Sequence, residues 1–333
     1  MVSALDAYEK WANESKSCNN KLNNSHFISL AGIKVCIHLH RPALSNAFLM
    51  GISHLLIDPC IPDYEIDVWD LKDGKHTFPK FDYGIDDVKV RGEIPLYCAD
   101  GVNFAYYAHA RMIHTLNENT KHGVVALVDG DSLPSFEIAC PFRGIFSWIL
   151  RSNGLALIHA AALADSGGNG CLVIGKSGAG KSTTAISCFL SGMKYIGDDL
   201  CALGLNQGSI CVYSIYCSGK TYKTEWSYIP ELSSKAFQHK SDEYEKELYF
   251  FSDDKNNICL EAKLKTIFVP LKEQSSKSRP TIAELIAITV NSTRELLPGA
   301  GFESLALICK AFKNSEIKYL NLTEDRVCPI SEI

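Results

Sequence analysis

The stretch CLVIGKSGAGKSTTAISCFLSGMKYIGDD, which runs from Cys171 to Asp199, decides the fold of this chain. It begins with an apolar run, passes through a glycine-rich turn and continues as a segment with one apolar face. That face comprises Ile186, Phe189, Leu190 and Met193. The order predicts a buried strand, a loop and an amphipathic helix that ends near Gly192.

The loop between this strand and helix fits the phosphate-binding pattern G-x-x-x-x-G-K-[ST]. Its glycines let the main chain curl so that N–H groups point inward, and the helix adds the positive end of its dipole. Lys181 is expected to reach the β- and γ-phosphates of ATP, and the Ser182 hydroxyl to bind Mg²⁺. The expected nucleotide-binding residues are Gly175, Lys176, Ser177, Gly178, Ala179, Gly180, Lys181, Ser182 and Thr183. The alternative is a glycine-rich turn that binds nothing.

Two adjacent aspartates, Asp198 and Asp199, end the next predicted strand, KYIGDD. A helix and a returning strand fit between Lys181 and this pair, so both carboxylates can come back to the phosphate loop. Neighbouring side chains on a strand point to opposite faces, unless the strand has ended before them. A Mg²⁺-dependent hydrolase needs one such carboxylate, and a second suits the base for an acceptor hydroxyl. The alternative is that one of the two only turns the chain.

A histidine precedes the loop strand in the apolar segment LALIHAAALA, which is predicted as one buried strand. A lone histidine in an apolar strand is more often a core residue with satisfied hydrogen bonds. The other interpretation makes His159 part of the site at the phosphate loop.

The composition of the 333 residues is that of an ordinary globular protein of one or two domains, with 46% hydrophobic and 21% charged residues. A net charge of −5 argues against a general nucleic-acid-binding protein. The amino-terminal sequence lacks an apolar core segment, and no apolar run is long enough to span a bilayer, so we expect no signal peptide and no membrane partner. The 13 cysteines include no C-x-x-C pair, which predicts free thiols in a reducing cytoplasm.

Residues 1–140 and 141–333 are predicted to form two domains. The first region alternates short apolar segments with turn residues, from HFISLAGIKVCIHLH to SFEIAC, which predicts a β-rich domain. The segment PFRGIFSWILRSNG predicts a helix that opens the second domain, where strand and helix signals alternate as in an α/β fold. In CIHLH, His38 and His40 share one face of a strand. We prefer an ordinary surface strand there to half a metal site, because no third ligand is near.

The order LIHAAAL, GKSGAGKS and GDD resembles the catalytic domain of the HPr kinase/phosphorylase family. It resembles more closely the HPr-kinase-like proteins with an extra amino-terminal domain, a group that includes kinases of some lasso-peptide pathways. The resemblance covers about Leu157 to Leu203. It implies a phosphoenolpyruvate-carboxykinase-like P-loop catalytic domain, preceded here by the β-rich accessory domain. It also implies that the strand with His159 and the loop strand are antiparallel neighbours, which the short turn DSGGNG permits.

The resemblance implies that ATP gives its γ-phosphoryl group to a hydroxyl of a peptide, protein or small-molecule acceptor, with Mg²⁺ as cofactor. His159, Lys181, Asp198 and Asp199 are then the catalytic residues. Ser182 and Asp199 are expected to hold the metal and Asp198 to act as base, although the residues leave the reverse assignment open. In SIYCSGKTYK, Lys220 is either a further phosphate contact or a lysine of a surface loop.

The chain departs from the family in one respect, since no glutamate–isoleucine–arginine–glycine signature follows the aspartates. A plain kinase is therefore expected rather than a regulator of sugar uptake that acts through HPr. The main alternative is a P-loop ATPase or nucleotide-dependent switch without an acceptor, and another is a module that only binds a phosphorylated ligand. The accessory domain is expected to select the acceptor or to mediate homo-oligomer assembly.

Overall fold

The computed structural model describes residues 8–9, 12–13, 24–73, 93–96, 101–223, 236–237, 246–272, 279–297 and 303–322. The chain divides into two compact units. The first runs from the amino terminus to Ser152 and includes a short segment that begins at Glu295, and the second comprises Asn153–Arg294 and the residues from Ala300 onward. The helix in PFRGIFSWILRSNG, which the sequence places at the start of the second domain, therefore belongs to the first unit.

Among the residues that the structure describes, the first unit contains one sheet of eight strands. These are β1 Ser25–Leu30, β2 Ile33–Leu39, β3 Leu56–Ile57, β4 Tyr64–Asp70, β5 Glu93–Leu96, β6 Val102–Tyr107, β7 Met112–Asn117 and β8 His122–Leu127. Their order is β3-β1-β2-β4-β8-β7-β6-β5. The pairs β2–β4 and β4–β8 are parallel, and the other neighbouring pairs are antiparallel. Most of the strands predicted in this region are thus present.

The helices of the first unit whose bounds the structure describes include two that the sequence did not predict. These helices are α1 Ser45–Phe48, α2 Ser135–Ala139 and α3 Arg143–Ser152, with 3-10 turns at Pro42–Leu44, Met50–Leu55, Leu71–Asp73 and Gly130–Ser132. The strand expected in SFEIAC is wrong, because these residues form α2. The Pro134 carbonyl accepts hydrogen bonds from the N–H groups of Glu137 and Ile138, which starts the helix, and Glu137 forms a buried ion pair with Arg143.

The histidines of CIHLH lie in a largely buried polar network, so the surface-strand prediction is wrong. His40 and His122 each donate from Nε2 to one oxygen of Asp67, both at 2.7 Å, and the Asp67 side chain is fully buried. His38 contacts the Glu65 carboxylate at 3.4 Å. The sequence pattern could not reveal these partners, because they lie on β4 and β8, which pair only in the folded sheet.

The second unit is built on another eight-stranded sheet and a separate strand pair. The strands are β9 Ala156–Ile158, β10 Ala161–Ala164, β11 Asn169–Val173, β12 Lys194–Gly197, β13 Cys201–Asn206, β14 Ser209–Tyr213, β15 Ser218–Tyr222, β16 Lys246–Phe250, β17 Glu261–Lys272 and β18 Glu316–Leu322. Seven of them follow the order β12-β10-β11-β17-β14-β13-β9, β18 pairs with β17, and β15 pairs with β16.

Helices cover both faces of the second sheet. They are α4 Lys181–Leu190, α5 Ile282–Leu296 and α6 Glu303–Asn314, with a 3-10 turn at Ser252–Asn257. On β11, Leu172 belongs to the core cluster that contains residues of α5 and α6, whereas Val173 belongs to the cluster that contains residues of α4. This alternation follows from the two-residue period of a strand. The unit is a mixed α/β structure in which a buried strand leads into the glycine-rich loop that the sequence predicts to bind phosphate.

The predicted single strand LALIHAAALA is wrong in one respect, because β9 ends at Ile158 and β10 begins at Ala161. His159 lies in the break between them. The antiparallel pairing of the histidine segment with the loop strand is confirmed for β10, whose Ala161 and Ala164 lie opposite Val173 and Gly170 of β11.

The described part of the chain contains no helix that is both long and apolar enough to cross a membrane. Its cysteines are free thiols, and most of them are buried.

Candidate active site

The predicted phosphate loop, residues 175–182, connects β11 to α4. Gly178 and Gly180 have φ angles of 73° and 99°, in the left-handed region that favours glycine. A Cβ atom at Gly180 would lie 2.6 Å from Leu322 Cδ1, so a side chain does not fit there without movement. The first N–H groups of a helix have no partner within the helix. The amino end of α4 therefore offers main-chain donors to an anion.

The Lys181 ammonium points back into this loop. It donates to the Gly175 carbonyl at 2.9 Å and to the Lys176 carbonyl at 3.2 Å. Burial lowers the pKa of Lys181, while the nearby charges of Asp199 and Asp198 act in the opposite direction. If a phosphate bound here, its charged oxygens would replace the two carbonyls as acceptors for Lys181. Hydrogen bonds to charged acceptors are stronger than those to carbonyls.

The aspartate pair follows the end of β12 at Gly197 rather than lying within the strand. The Leu200 N–H donates to the Asp198 carbonyl at 2.8 Å and closes a tight turn around Asp199, whose φ is 65°. Such a turn with positive φ at its central residue is rare and strained. The strict alternation of a strand therefore does not separate the two carboxylates.

Strand pairing in the second sheet is interrupted on two neighbouring segments, between β9 and β10 and between β12 and β13. Ile158 of β9 pairs with Cys201 of β13, and Ala162 of β10 pairs with Gly197 of β12. Between these two pairs of residues the hydrogen-bond ladder does not continue. His159 lies in the gap between β9 and β10, and the two aspartates lie in the gap between β12 and β13. The break places these residues opposite one another at the edge of the phosphate loop.

Asp198 is buried beside Ser182. The Ser182 side chain lies close enough to the Asp198 carboxylate to lower its pKa, and the Lys220 main-chain N–H donates to Asp198 Oδ2 at 3.4 Å. Asp198 Oδ1 has no hydrogen-bond partner among the described residues. Burial, together with the charge of Asp199, raises the pKa of Asp198 to about 6. A buried carboxylate oxygen that lacks a hydrogen-bond donor is suited to bind a cation.

Asp199 contacts two basic side chains. Its Oδ2 forms an ion pair with Lys220 Nζ, and its Oδ1 lies 3.8 Å from His159 Nε2. The Asp199 side chain keeps 16% of its surface exposed, whereas Asp198 is almost fully buried. Asp199 is therefore the more accessible carboxylate of the pair.

Lys220 lies on β15 and is buried, so it is not a lysine of a surface loop. The Tyr195 hydroxyl donates to the Ser218 carbonyl at 2.6 Å, which fixes one end of this strand. A Cβ atom at Gly219 would lie 3.2 Å from Ile186 of α4. The close packing of β15 against α4 brings Lys220 to the aspartates.

The other predicted nucleotide-binding residues lie where the motif puts them. Lys176, Ser177 and Gly178 are exposed at the tip of the loop, and Thr183 is buried in the first turn of α4. Their contact with nucleotide remains a prediction.

Sequence reasoning missed two residues near the site. Lys246 lowers the pKa of Lys181 through its charge, and its Nζ lies 4.8 Å from the centre of the Tyr222 ring. The Thr293 hydroxyl accepts a hydrogen bond from the His159 main-chain N–H at 2.9 Å. The pairing of β16 with β15 and the packing of α5 create these contacts, and the sequence carries no local signal for either.

The residues fit a Mg²⁺ ion that shares its coordination with phosphate. Within the described residues, no group of three or more His, Cys, Asp or Glu side chains is placed to hold a metal ion. Mg²⁺ at nucleotide sites usually takes only one or two protein ligands, together with phosphate oxygens and water. The Ser182 hydroxyl and the unpartnered oxygen of Asp198 form such a donor set.

Comparison with known proteins gives only distant structural similarity. No protein-family model and no curated protein matches the chain. A solved structure of the HPr(Ser) kinase/phosphatase from Coxiella burnetii is similar over 37% of this chain and 71% of that chain, with 12% identity and a TM-score of 0.27. This similarity is compatible with a kinase-like fold, and at this TM-score it carries no argument for an activity.

Proposed function

We propose that the protein is a Mg²⁺-dependent kinase that transfers the γ-phosphoryl group of ATP to a hydroxyl of a peptide, protein or small-molecule acceptor. One observation carries this proposal. The two aspartates that follow β12 occupy different positions beside the phosphate loop. Asp198 lies next to Ser182, and Asp199 contacts His159 and Lys220. A hydrolase needs the first position, and phosphoryl transfer to an acceptor uses both.

The loop and Lys181 hold the triphosphate in this proposal. Main-chain N–H groups at the start of α4 bind phosphate oxygens, and Lys181 leaves the carbonyls of Gly175 and Lys176 to neutralise the β- and γ-phosphates. Little covalent chemistry is required of the protein in phosphoryl transfer, so positioning and charge stabilisation supply most of the rate.

Ser182 and Asp198 would hold Mg²⁺, which neutralises the charge that develops on the phosphate oxygens. The closeness of Ser182 to Asp198 favours Asp198 over Asp199 on the metal side, which is the reverse of the assignment expected from the sequence. The raised pKa of Asp198 agrees with this choice, since a neighbouring cation would relieve the cost of its buried charge.

Asp199 would accept the proton of the acceptor hydroxyl, since it is the more accessible carboxylate. His159 lies near one oxygen of the Asp199 carboxylate and Lys220 pairs with the other, so together they orient it. Lys220 also brings a second ammonium close to the place where the γ-phosphate must lie, so it would stabilise charge on the transferred group.

The proposal extends to the architecture. The second unit would be a phosphoenolpyruvate-carboxykinase-like P-loop catalytic domain of the HPr-kinase type, and the first unit an accessory domain that selects the acceptor. The antiparallel pair of β10 and β11 and the position of His159 at the loop support this assignment.

The test is to incubate the protein with labelled ATP, Mg²⁺ and a cell extract, and to follow the label by mass spectrometry. We expect label on a hydroxyl acceptor, with transfer reduced roughly 10²- to 10⁴-fold in Asp199→Asn while Mg²⁺-ATP binding is retained. Asp198→Asn should raise the Mg²⁺ concentration needed for ATP binding. Asp165→Asn, in the turn between β10 and β11, is the matched control and should behave as wild type.

Hydrolysis as the sole activity, at an unchanged rate in Asp199→Asn, would contradict the kinase and favour the ATPase alternative. Phosphate binding that is indifferent to Mg²⁺ would favour a non-enzymatic module.

A further inference from the structure

Helix α5 carries buried polar side chains that face the second sheet. Thr289 and Thr293 are both almost fully buried. Each hydroxyl donates to the carbonyl four residues earlier, Thr289 to Leu285 at 2.9 Å and Thr293 to Thr289 at 2.7 Å. Such bonds are the usual way for a threonine inside a helix to satisfy its hydroxyl. The two residues differ in one contact.

The Thr293 oxygen also accepts a hydrogen bond from the His159 main-chain N–H at 2.9 Å. In an unbroken strand this N–H could pair with the neighbouring strand. Here the ladder is interrupted between Ile158 and Ala162, and a buried main-chain N–H without a partner is costly. Thr293 therefore supplies, from a helix, the acceptor that the broken ladder does not provide.

This bond fixes the main chain at the residue whose side chain faces Asp199. His159 Nε2 lies 3.8 Å from Asp199 Oδ1, a separation that a small shift of the main chain would change. A continuous path of hydrogen bonds runs from the Thr289 carbonyl through Thr293 to the His159 main chain. The imidazole of the same residue lies 3.8 Å from the proposed base, so its position depends on this main chain.

We infer that Thr293 is a positioning residue of the active site, which holds the break between β9 and β10 in the conformation that directs His159 at Asp199. This inference rests on the proposed function for its effect on catalysis. Thr293 contacts no reacting group and acts only through the position of His159. Its hydroxyl is essential to this role, and its volume is not.

Three substitutions test the inference. Thr293→Val keeps the shape and removes the hydroxyl, Thr293→Ser keeps the hydroxyl, and Thr289→Val removes the equivalent hydroxyl one turn earlier without touching the site. The expected result is a fall in kcat of about tenfold or more for Thr293→Val at an unchanged ATP dissociation constant, because small misplacements in an active site are costly. Thr293→Ser and Thr289→Val should retain wild-type kcat.

A second measurement does not depend on kinase activity. Hydrogen exchange of the His159 amide should accelerate by about tenfold in Thr293→Val, as expected for the loss of one hydrogen bond, and should remain slow in Thr293→Ser and Thr289→Val. If the wild type shows no phosphoryl transfer, the proposed function fails while this exchange result still tests the positioning. Wild-type kcat and wild-type exchange in folded Thr293→Val would overturn the inference, as would an equal loss in Thr289→Val.

Discussion

The two units each place aspartate beside histidine, and the two arrangements differ in how the carboxylates are satisfied. Asp67 lies in the regular strand β4, and each of its oxygens accepts a short hydrogen bond from an imidazole. Asp198 and Asp199 follow the end of a strand, in a turn with a positive φ, and one oxygen of Asp198 has no partner among the described residues. A buried carboxylate with all its hydrogen bonds made stabilises a fold, whereas one that lacks a partner marks a place for a ligand.

This comparison predicts that Asp67→Asn acts on stability. The amide offers one oxygen where the carboxylate offers two, so a buried imidazole N–H of His40 or His122 loses its acceptor. We expect the free energy of unfolding to fall by about 2 to 3 kcal/mol, as when a hydrogen-bond donor is left without its acceptor inside a protein. Denaturant unfolding measures this, and the folded variant should bind ATP with wild-type affinity.

The matched control for Asp67 lies two residues earlier on the same strand. The Glu65 side chain is 48% exposed and contacts His38 at 3.4 Å, so Glu65→Gln should change the free energy of unfolding by less than about 1 kcal/mol. Equal losses in Glu65→Gln and Asp67→Asn would show that the Asp67 network has no special structural role.

At the second site, the loss of a charge should act on catalysis. Lys220→Met removes the ammonium that pairs with Asp199, and we expect kcat to fall by about 10²-fold because the transferred group loses a charged donor. Because Asp199 also loses its cationic partner, the free energy of unfolding should fall as well, so kcat is measured at a temperature at which the variant is fully folded. Steady-state kinetics with ATP as the varied substrate separates an effect on kcat from one on binding.

Lys223, which directly follows the strand β15 that carries Lys220, is the control for Lys220. Its side chain is 66% exposed and forms a 2.8 Å ion pair with Glu247, so Lys223→Met should leave kcat within about twofold of wild type. A similar loss of kcat in both variants would mean that Lys220 acts through the general charge of the surface rather than through Asp199.

The sequence predicted the part of the site whose contacts are local. The phosphate loop and the start and end of α4 lie within one short segment, and each depends on nearby residues such as Gly180 and Gly192. Gly192 has a φ of 101° and its N–H donates to the Phe189 carbonyl, as at a helix end closed by glycine.

The rest of the site depends on contacts between distant residues. The bond between His159 and Thr293 spans 134 positions, and that between His122 and Asp67 spans 55. The break at His159 has no sequence signal either, because LALIHAAALA is uniformly apolar apart from the histidine. Only the pairing with β12 and β13 divides this segment into two strands.

The smallest expected effect is a gain in stability. Because the pKa of Asp198 is raised from 3.8 to about 6 in the folded protein, its folded form favours the neutral state. The contribution of Asp198 to stability is therefore complete below about pH 4 and is lost as the pH rises through 6. Asp198→Asn carries no charge to bury, so without nucleotide it should be more stable than wild type at pH 8 by about 1 to 2 kcal/mol. Thermal unfolding between pH 4 and pH 8 measures the difference, which should vanish at the acid end. A stability difference that does not depend on pH would come from packing and not from the charge. The charge of Asp198 would then destabilise the fold no more than that of Asp67 does in the first unit.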